Sequence, residues 1–515
     1  MPPDDGGKLR ASPLPLPRGL CMNRFLLILT LLGFTATAQA QALRIGMRDD
    51  PDILDPTLSR TYVGTLVMTA MCDKLFDFDA NQNIIPVLAT GYDWVDGTTL
   101  LIRLRSGVQF QNGEPFDAAA VKYTLDRHAT MPGSFRRNEI GAMERVEVID
   151  PLTVRVVLKR PFSPFIAVLT DRAGMMVAPK AAEAASKEFG LKPVCAGPFR
   201  FVERVAQDRV VLERFPEYWD AGRIHYNRVT YQVVPDSSIR LANLQAGALD
   251  IAEVAPLDVQ TAKSDPKLAV VSVPSLGYGA LTVNLAGQSP IALDPRVRRA
   301  FQLSLDRVAL SQVVFAGMYE PNAQAISAAS PFYAPAVPMS PHDVAAARAL
   351  LQQAGVATPL RVELLVYNTP QGVHAGEVIQ AMAAEAGFDV KVVAAEFGAV
   401  LAATARSDFQ VTLGGWSGLL DPDSNSYAFL HTGSALNIAK YSNPHADQLL
   451  EQARMEGDTV KRRALYEQLW RQVHADLPLI YLWTTRNILG VSRKVQGVRL
   501  LANGLLPLQD VHPAS

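Results

Sequence analysis

A chain of 515 residues with 49% hydrophobic content can bury more than one core, so two or three domains are expected. Its 49 basic and 50 acidic residues leave a formal charge of −1, and no long run carries one sign. That balance excludes partners recruited by charge alone, nucleic acid and anionic membrane surfaces among them.

The chain begins with a Pro-rich, unpatterned stretch, Met1–Cys21. Asn23-Arg24 then precedes the ten-residue apolar run Phe25–Phe34, and Ala38-Gln39-Ala40 follows. A basic start, a short apolar middle and an Ala-x-Ala end make a secretory signal, with cleavage expected after Ala40. Met22 is the alternative start to Met1. Cys21 lies before the apolar run rather than after it, which argues against a lipid-anchor cysteine. Beyond this segment no apolar run reaches the roughly 18 residues a membrane-spanning helix needs. Without residues 1–40 the chain has 45 basic and 48 acidic residues, a formal charge of −3. It keeps two cysteines, Cys72 and Cys195, which in an exported protein either pair or remain as small buried thiols.

Ala42–Met47 reads as a strand and Pro51–Pro56 as a turn-rich lead-in to a helix over Thr65–Phe76. Leu100–Leu104 alternates like a strand, and Gly107–Phe116 reads as strand and turn. Asp117 is placed to cap a helix over Ala118–His128. Val146–Ile149 with Thr153–Leu158 forms a hairpin, as does Pro198–Glu203 with Arg209–Phe215, and Val229–Val234 is a further strand. Ser237–Ala246 is a helix stopped by Gly247. Val297–Leu305, Asp343–Gln353, Pro444–Met455 and Val460–Asp476 carry apolar stripes at helical spacing. The first half is thus strand-rich and the second α/β, with breaks near Gly91, near Pro193 and at Pro274–Gly277.

Within the second half, Arg361–Tyr367, Asp389–Ala394 and Phe409–Leu413 are apolar strand runs separated by helical Gly376–Ala386 and Glu396–Ala405. Strands this continuously apolar belong in a parallel sheet covered on both faces, and ligands of such sheets sit beyond the carboxyl ends of the strands. The loop Trp416-Ser417-Gly418-Leu419-Leu420-Asp421-Pro422-Asp423 leaves such an end. An indole beside two carboxylates suits a small solute with an amine and an apolar part; the plainer alternative is a core tryptophan followed by an Asp-Pro turn. Catalysis is not expected. A Gly-x-Ser-x-Gly elbow around Ser417 would need glycine where Leu419 stands, and neither a phosphate-binding Gly-x-x-x-x-Gly-Lys loop nor His-Glu-x-x-His occurs.

The assembled motifs resemble the peptide/nickel class, family 5, of solute-binding proteins that serve bacterial ABC importers. They run in order through Leu54-Asp55-Pro56, Leu75-Phe76-Asp77-Phe78-Asp79, Phe110-x-Asn112-Gly113-x-Pro115-Phe116, Ala196-Gly197-Pro198-Phe199, Leu244-Gln245-x-Gly247-x-x-Asp250 and Asp294-Pro295-Arg296-Val297-Arg298. The resemblance implies a two-lobed α/β periplasmic binding protein fold, class II in type, with the extra subdomain of the peptide-binding cluster. Lobe 1 would take residues 41–90, a strand-rich subdomain at 91–192, residues 193–276 and the end of the chain at 485–515. Lobe 2 would take residues 277–484. It also implies a monomer that captures a peptide-like solute (a dipeptide, an oligopeptide or glutathione) in the periplasm and hands it to inner-membrane permease subunits, without a cofactor. Arg136-Arg137-Asn138 and Asp421-Pro422-Asp423 look most like glutathione- and dipeptide-type members.

In that class the carboxylate after the tryptophan loop takes the ligand's amino group, which by motif position is Asp421, with Trp416 as an aromatic wall and Ser417 and Asp423 beside it. Relatives place an arginine for the ligand carboxylate after the strand matching Arg361–Tyr367, yet Asn368–His374 contains none. Arg60, Arg136 and Arg137 are the substitutes considered, with Tyr62, Tyr278, Asn284 and Asn368 as further pocket candidates. His374, His431 and His445 leave a metal chelate such as nickel as the alternative ligand.

Overall fold

Apolar and β-branched runs from both halves of the chain meet in one mixed sheet of eleven strands. Its main path runs Phe388–Ala395, Leu360–Tyr367, Val411–Trp416, Leu268–Val283, Leu479–Ser492, Ile251–Glu253, Ala42–Met47, Arg228–Val233, Arg209–Arg214 and Phe199–Val205. The computed structural model describes residues 42–514; the leader, the signal segment and the expected cleavage position lie outside the described residues. No described helix is long and apolar enough to cross a membrane.

The three strands expected to be parallel are so: Leu364 pairs with Val392 on one side and with Val411 on the other. Helices Pro370–Glu385 and Phe397–Ala405 form the crossovers. The first begins six residues before its expected start because Pro370 sits in the first turn and the Thr369 hydroxyl accepts from the Gly372 amide. Two long antiparallel strands, Leu268–Val283 and Leu479–Ser492, run through the middle of the sheet and break register between Pro274 and Tyr278. On one side of that break they pack with the core of Leu43, Phe199 and Tyr231. On the other they pack with the cores of Phe301, Phe388 and Ile480 and of Tyr466, Trp470 and Tyr481. A separate four-stranded antiparallel sheet, Ala89–Trp94, Thr99–Leu104, Thr153–Leu158 and Met143–Asp150, carries its own core of Phe110, Val121, Ile102 and Phe165.

The helix expected over Thr65–Phe76 instead spans Tyr62–Met71, and Phe76–Phe78 is a strand paired with Ile84–Pro86. Cys72 stops the helix. It is bonded to Cys195, its backbone is extended, and the Gly197 amide donates to the Met71 carbonyl at 2.8 Å. Gly107–Phe116 forms only the isolated bridge Gln109–Pro115 rather than a strand. Its place in the fold comes from Gln111, whose side-chain amide donates to the carbonyls of Met71 and Phe199.

Asp73, next to the disulfide, is buried and accepts from the Tyr218 hydroxyl at 2.9 Å and the Trp219 indole at 2.8 Å. Burial pushes its carboxyl up to about 7, against those two hydrogen bonds and the opposing pull of Lys74. Its folded value therefore lies above the unfolded one, so the folded state binds the extra proton as pH falls. Stability should then decline as pH rises from ~4 to ~7, with a slope approaching about 1.4 kcal/mol per pH unit from this group. Asp73→Asn keeps an acceptor for both donors and should flatten that segment of the stability–pH curve, read by urea unfolding across the window.

Candidate functional site

Val411–Leu413 is buried and Gly414-Gly415 carries the strand to its exposed end, where Trp416 pairs with Tyr278. The chain then turns against the register break of Leu268–Val283. Gly418 has φ +80°, and a Cβ there would collide with the Leu276 carbonyl oxygen, so only glycine fits. Asn425 fixes the loop from below: its Oδ1 accepts from the Trp416 indole at 3.0 Å and the Leu419 amide at 2.8 Å, and its amide donates to the Leu419 carbonyl. The Trp416 ring meets Phe429 edge-on at 5.1 Å. Asn425 was not singled out from the sequence, because its role depends on a helix turn folding back beneath the loop.

A cavity lies between this loop and residues from the first part of the chain. Trp416, Ser417, Leu419, Leu420, Asp421 and Ser424 line one side. Arg60, Tyr62, Glu139 and the segment Ala167–Arg172 line the other, with Leu276, Phe78, Asn503 and Leu505 closing it. The Tyr62 hydroxyl donates to the Gly504 carbonyl at 2.6 Å, which ties the chain's final segment to this wall. The Arg60 guanidinium lies over the Phe135 ring at 4.8 Å.

Five of the sequence-derived candidates thus meet at one cavity: Trp416, Ser417, Asp421, Arg60 and Tyr62. The charge of Asp421, however, is already engaged. Arg462 donates to both carboxylate oxygens at 2.6 Å, and Oδ1 also accepts from the Asp423 amide as the cap of helix Pro422–Leu430. Burial opposes the charge on Arg462, but Asp421 outweighs it and holds the guanidinium above its ordinary value. The carboxylate expected to face a ligand amine is thus already paired, with Arg462 reaching it from a helix 41 residues on.

The other candidates have structural work. Asp423 is buried outside the cavity, clasped by Arg454 through Nε at 2.7 Å and Nη2 at 3.1 Å; burial raises its pKa and Arg454 opposes the rise. Arg136 is buried, pairing with Glu139 and donating to the Ser59 carbonyl at 3.1 Å. Arg137 caps a helix end, donating to the carbonyls of Ala129, Thr130 and Met131. Tyr278 is buried edge-on against Tyr481 at 5.1 Å. The Asn284 amide holds the carbonyls of Ser407 and Phe409, both at 2.9 Å. Asn368 is exposed where its strand ends, bonding through its backbone to Ala395, and is not part of the cavity wall. His431 stacks on Tyr427 at 4.4 Å. Among the described residues no three His, Cys, Asp or Glu side chains come together to hold a metal ion.

Glu139, Asp171 and Arg172, which belong to no motif in the sequence, also line the cavity. Burial raises the Glu139 carboxyl, with Arg136 opposing; for Asp171 the same effect of burial is outweighed by Arg172 and Arg136, and its pKa falls. In the sequence Asp171 and Arg172 show only as an Asp-Arg pair interrupting the apolar stretch Phe165–Val177, and Glu139 carries no such signal.

Residues 83–437 match the family model of bacterial extracellular solute-binding proteins, family 5 Middle. The glutathione-binding protein GsiB of Pectobacterium atrosepticum is 32% identical over 473 residues, spanning 89% of this chain and 91% of that protein. Two solved structures share the fold. The ABC transporter substrate-binding protein CtaP from Listeria monocytogenes has a TM-score of 0.84 at 20% identity, over 92% of this chain and 99% of that one. The periplasmic binding protein DppA from Helicobacter pylori, in complex with the peptide STSA, has a TM-score of 0.80 at 23% identity, over 92% and 98%. The architecture is therefore the mixed α/β fold of those binding proteins, built on one large sheet with helices. By sequence and by fold, this chain belongs to the family 5 bacterial extracellular solute-binding proteins.

Proposed function

We propose that this chain is the exported, monomeric binding component of an ABC importer, and that it takes a peptide-like solute, glutathione or a short peptide, into the cavity between the Trp416 loop and the Arg60–Tyr62 wall. It holds the solute without transforming it and delivers it from the periplasm to permease subunits in the inner membrane. The observation that carries this reading is the cavity itself. It lies between parts of the chain with separate cores, and it combines an indole, hydroxyls and aliphatic side chains with guanidiniums and carboxylates. A zwitterionic solute with an apolar middle needs that mixture. The glutathione-binding relative and the peptide-bound neighbour support the same solute class.

Thermal melting with glutathione, dipeptides and nickel–histidine tests it, because a ligand that binds only the folded state raises the transition temperature. A rise with glutathione or a peptide is expected. A rise confined to nickel–histidine would replace the peptide reading with a metal-chelate one. Trp416→Ala should weaken binding of the active solute by about 2 kcal/mol, roughly 30-fold, by removing an aromatic wall. Unchanged affinity by calorimetry would take Trp416 out of the site.

A further inference from the structure

With Asp421 neutralised by Arg462, the polarity of the cavity is set by the opposite wall. Two guanidiniums line that wall, Arg60 and Arg172, together with the carboxylates of Glu139 and Asp171. Arg136 also belongs to this cluster, but it is spent on Glu139 and on the Ser59 carbonyl. Arg172 is held more loosely. Its Nη1 donates to the same Ser59 carbonyl at 3.3 Å, its Nε stands 3.5 Å from Asp171, and Nε is buried without a hydrogen-bond partner. Among the described residues Nη2 of Arg172 donates to no protein acceptor, and no hydrogen bond or ion pair of the Arg60 side chain occurs. Arg60 is exposed, with its guanidinium over the Phe135 ring. The wall therefore offers guanidinium donors that the protein does not use, those of Arg60 and Nη2 of Arg172, the latter on a side chain that the shared Ser59 carbonyl and Asp171 already orient.

We propose that Arg172, with Arg60 beside it, receives a carboxylate of the bound solute, so that this protein fixes its ligand by the acid end on the wall formed before Leu276 rather than by the amine on the Trp416 loop. A guanidinium forks onto a carboxylate with two parallel hydrogen bonds, and it does so most strongly when partly buried and preoriented. Arg172 meets those conditions, with its side chain 14% exposed. The segment after Leu360–Tyr367 offers no guanidinium, because Asn368–His374 contains no arginine. This inference rests on the peptide-like reading for its probes but not for its logic: it requires only that the solute carry a carboxylate.

The test is calorimetry on the mature chain with glutathione and a dipeptide, each as the free acid, the carboxyl ester and the N-acetyl form, together with a simple dicarboxylate. Esterification should weaken binding more than N-acetylation does. Arg172→Gln should lower affinity for the free acid about 30-fold or more, yet bind the ester as wild type does, because the interaction is already absent there. Arg172→Lys, which keeps charge without the fork, should fall between; it also serves if the glutamine variant melts abnormally. Arg60→Gln should lose less, about 3- to 10-fold, because its site is solvated. Arg137→Gln, outside the cavity, should bind as wild type.

Free-acid affinity retained in both Arg172 variants, or N-acetylation harming binding more than esterification, overturns the assignment. A wild type that ignores peptides but binds the dicarboxylate through Arg172 would end the peptide reading and keep this one. A wild type that takes none of the acids ends both.

Discussion

Arg462→Met should lower the free energy of unfolding by about 3–5 kcal/mol, the usual result of leaving one member of a buried ion pair without its partner. Both groups are buried, Arg462 at 4% and Asp421 at 7% exposure. The guanidinium does more than neutralise: Nε donates to the Ala453 carbonyl at 2.7 Å, and the group stacks near the rings of Phe332 and Tyr466. Asp421→Asn should be destabilising by a similar mechanism, with part of the capping bond to Asp423 retained. Combining the two changes should cost less than the sum of the single effects, because neither charge is then stranded. Urea unfolding of the three variants supplies the numbers. In solute titrations, folded Asp421→Asn should bind within about 1 kcal/mol of wild type, less than tenfold weaker. A folded Asp421→Asn protein that has lost its solute would restore Asp421 as the amine acceptor.

Replacing Cys72 and Cys195 together by alanine should remove up to ~5 kcal/mol, since the bond closes a loop of 123 residues and restricts the unfolded chain accordingly. Both residues are fully buried, with Cα atoms 4.8 Å apart. The bond ties the end of helix Tyr62–Met71 to the chain entering strand Phe199–Val205. Gln111 bridges the same junction, accepting from the Cys195 amide at 3.0 Å and donating to the Met71 carbonyl. The variant should therefore keep its folded structure and its solute affinity while its urea midpoint drops. An unchanged midpoint against the oxidised wild type would mean that Gln111 and the surrounding core hold this junction without the bond.

Local periodicity and punctuation determined most of the elements. Helix Pro444–Met455 coincides with its expected span, Asp117 caps Ala118–Thr130 through the Ala120 amide, and the βαβαβ run ending at Trp416 is parallel as its continuous apolar strands imply. These features depend on neighbours a few residues away or on burial of both sheet faces, and the chain carries both kinds of information locally. The Trp416 loop is legible as a candidate site for the same reason: it leaves the carboxyl end of a parallel strand, and Trp416, Ser417 and Asp421 all line the cavity. The fate of each charge was not legible. Asp421 looks free in sequence and is spent on Arg462; Arg136 looks available and donates to the Ser59 carbonyl 77 residues before it. Arg172 belongs to no motif in the sequence, yet it stands at the cavity wall with a donor unused. A charged side chain's role is set by the partner that folding brings within about 3 Å, and that partner lies 41 residues from Asp421 and 113 from Arg172. Only the tertiary structure decides such pairings, because Coulomb and hydrogen-bond energies depend on distance in space and on burial, neither of which residue order encodes.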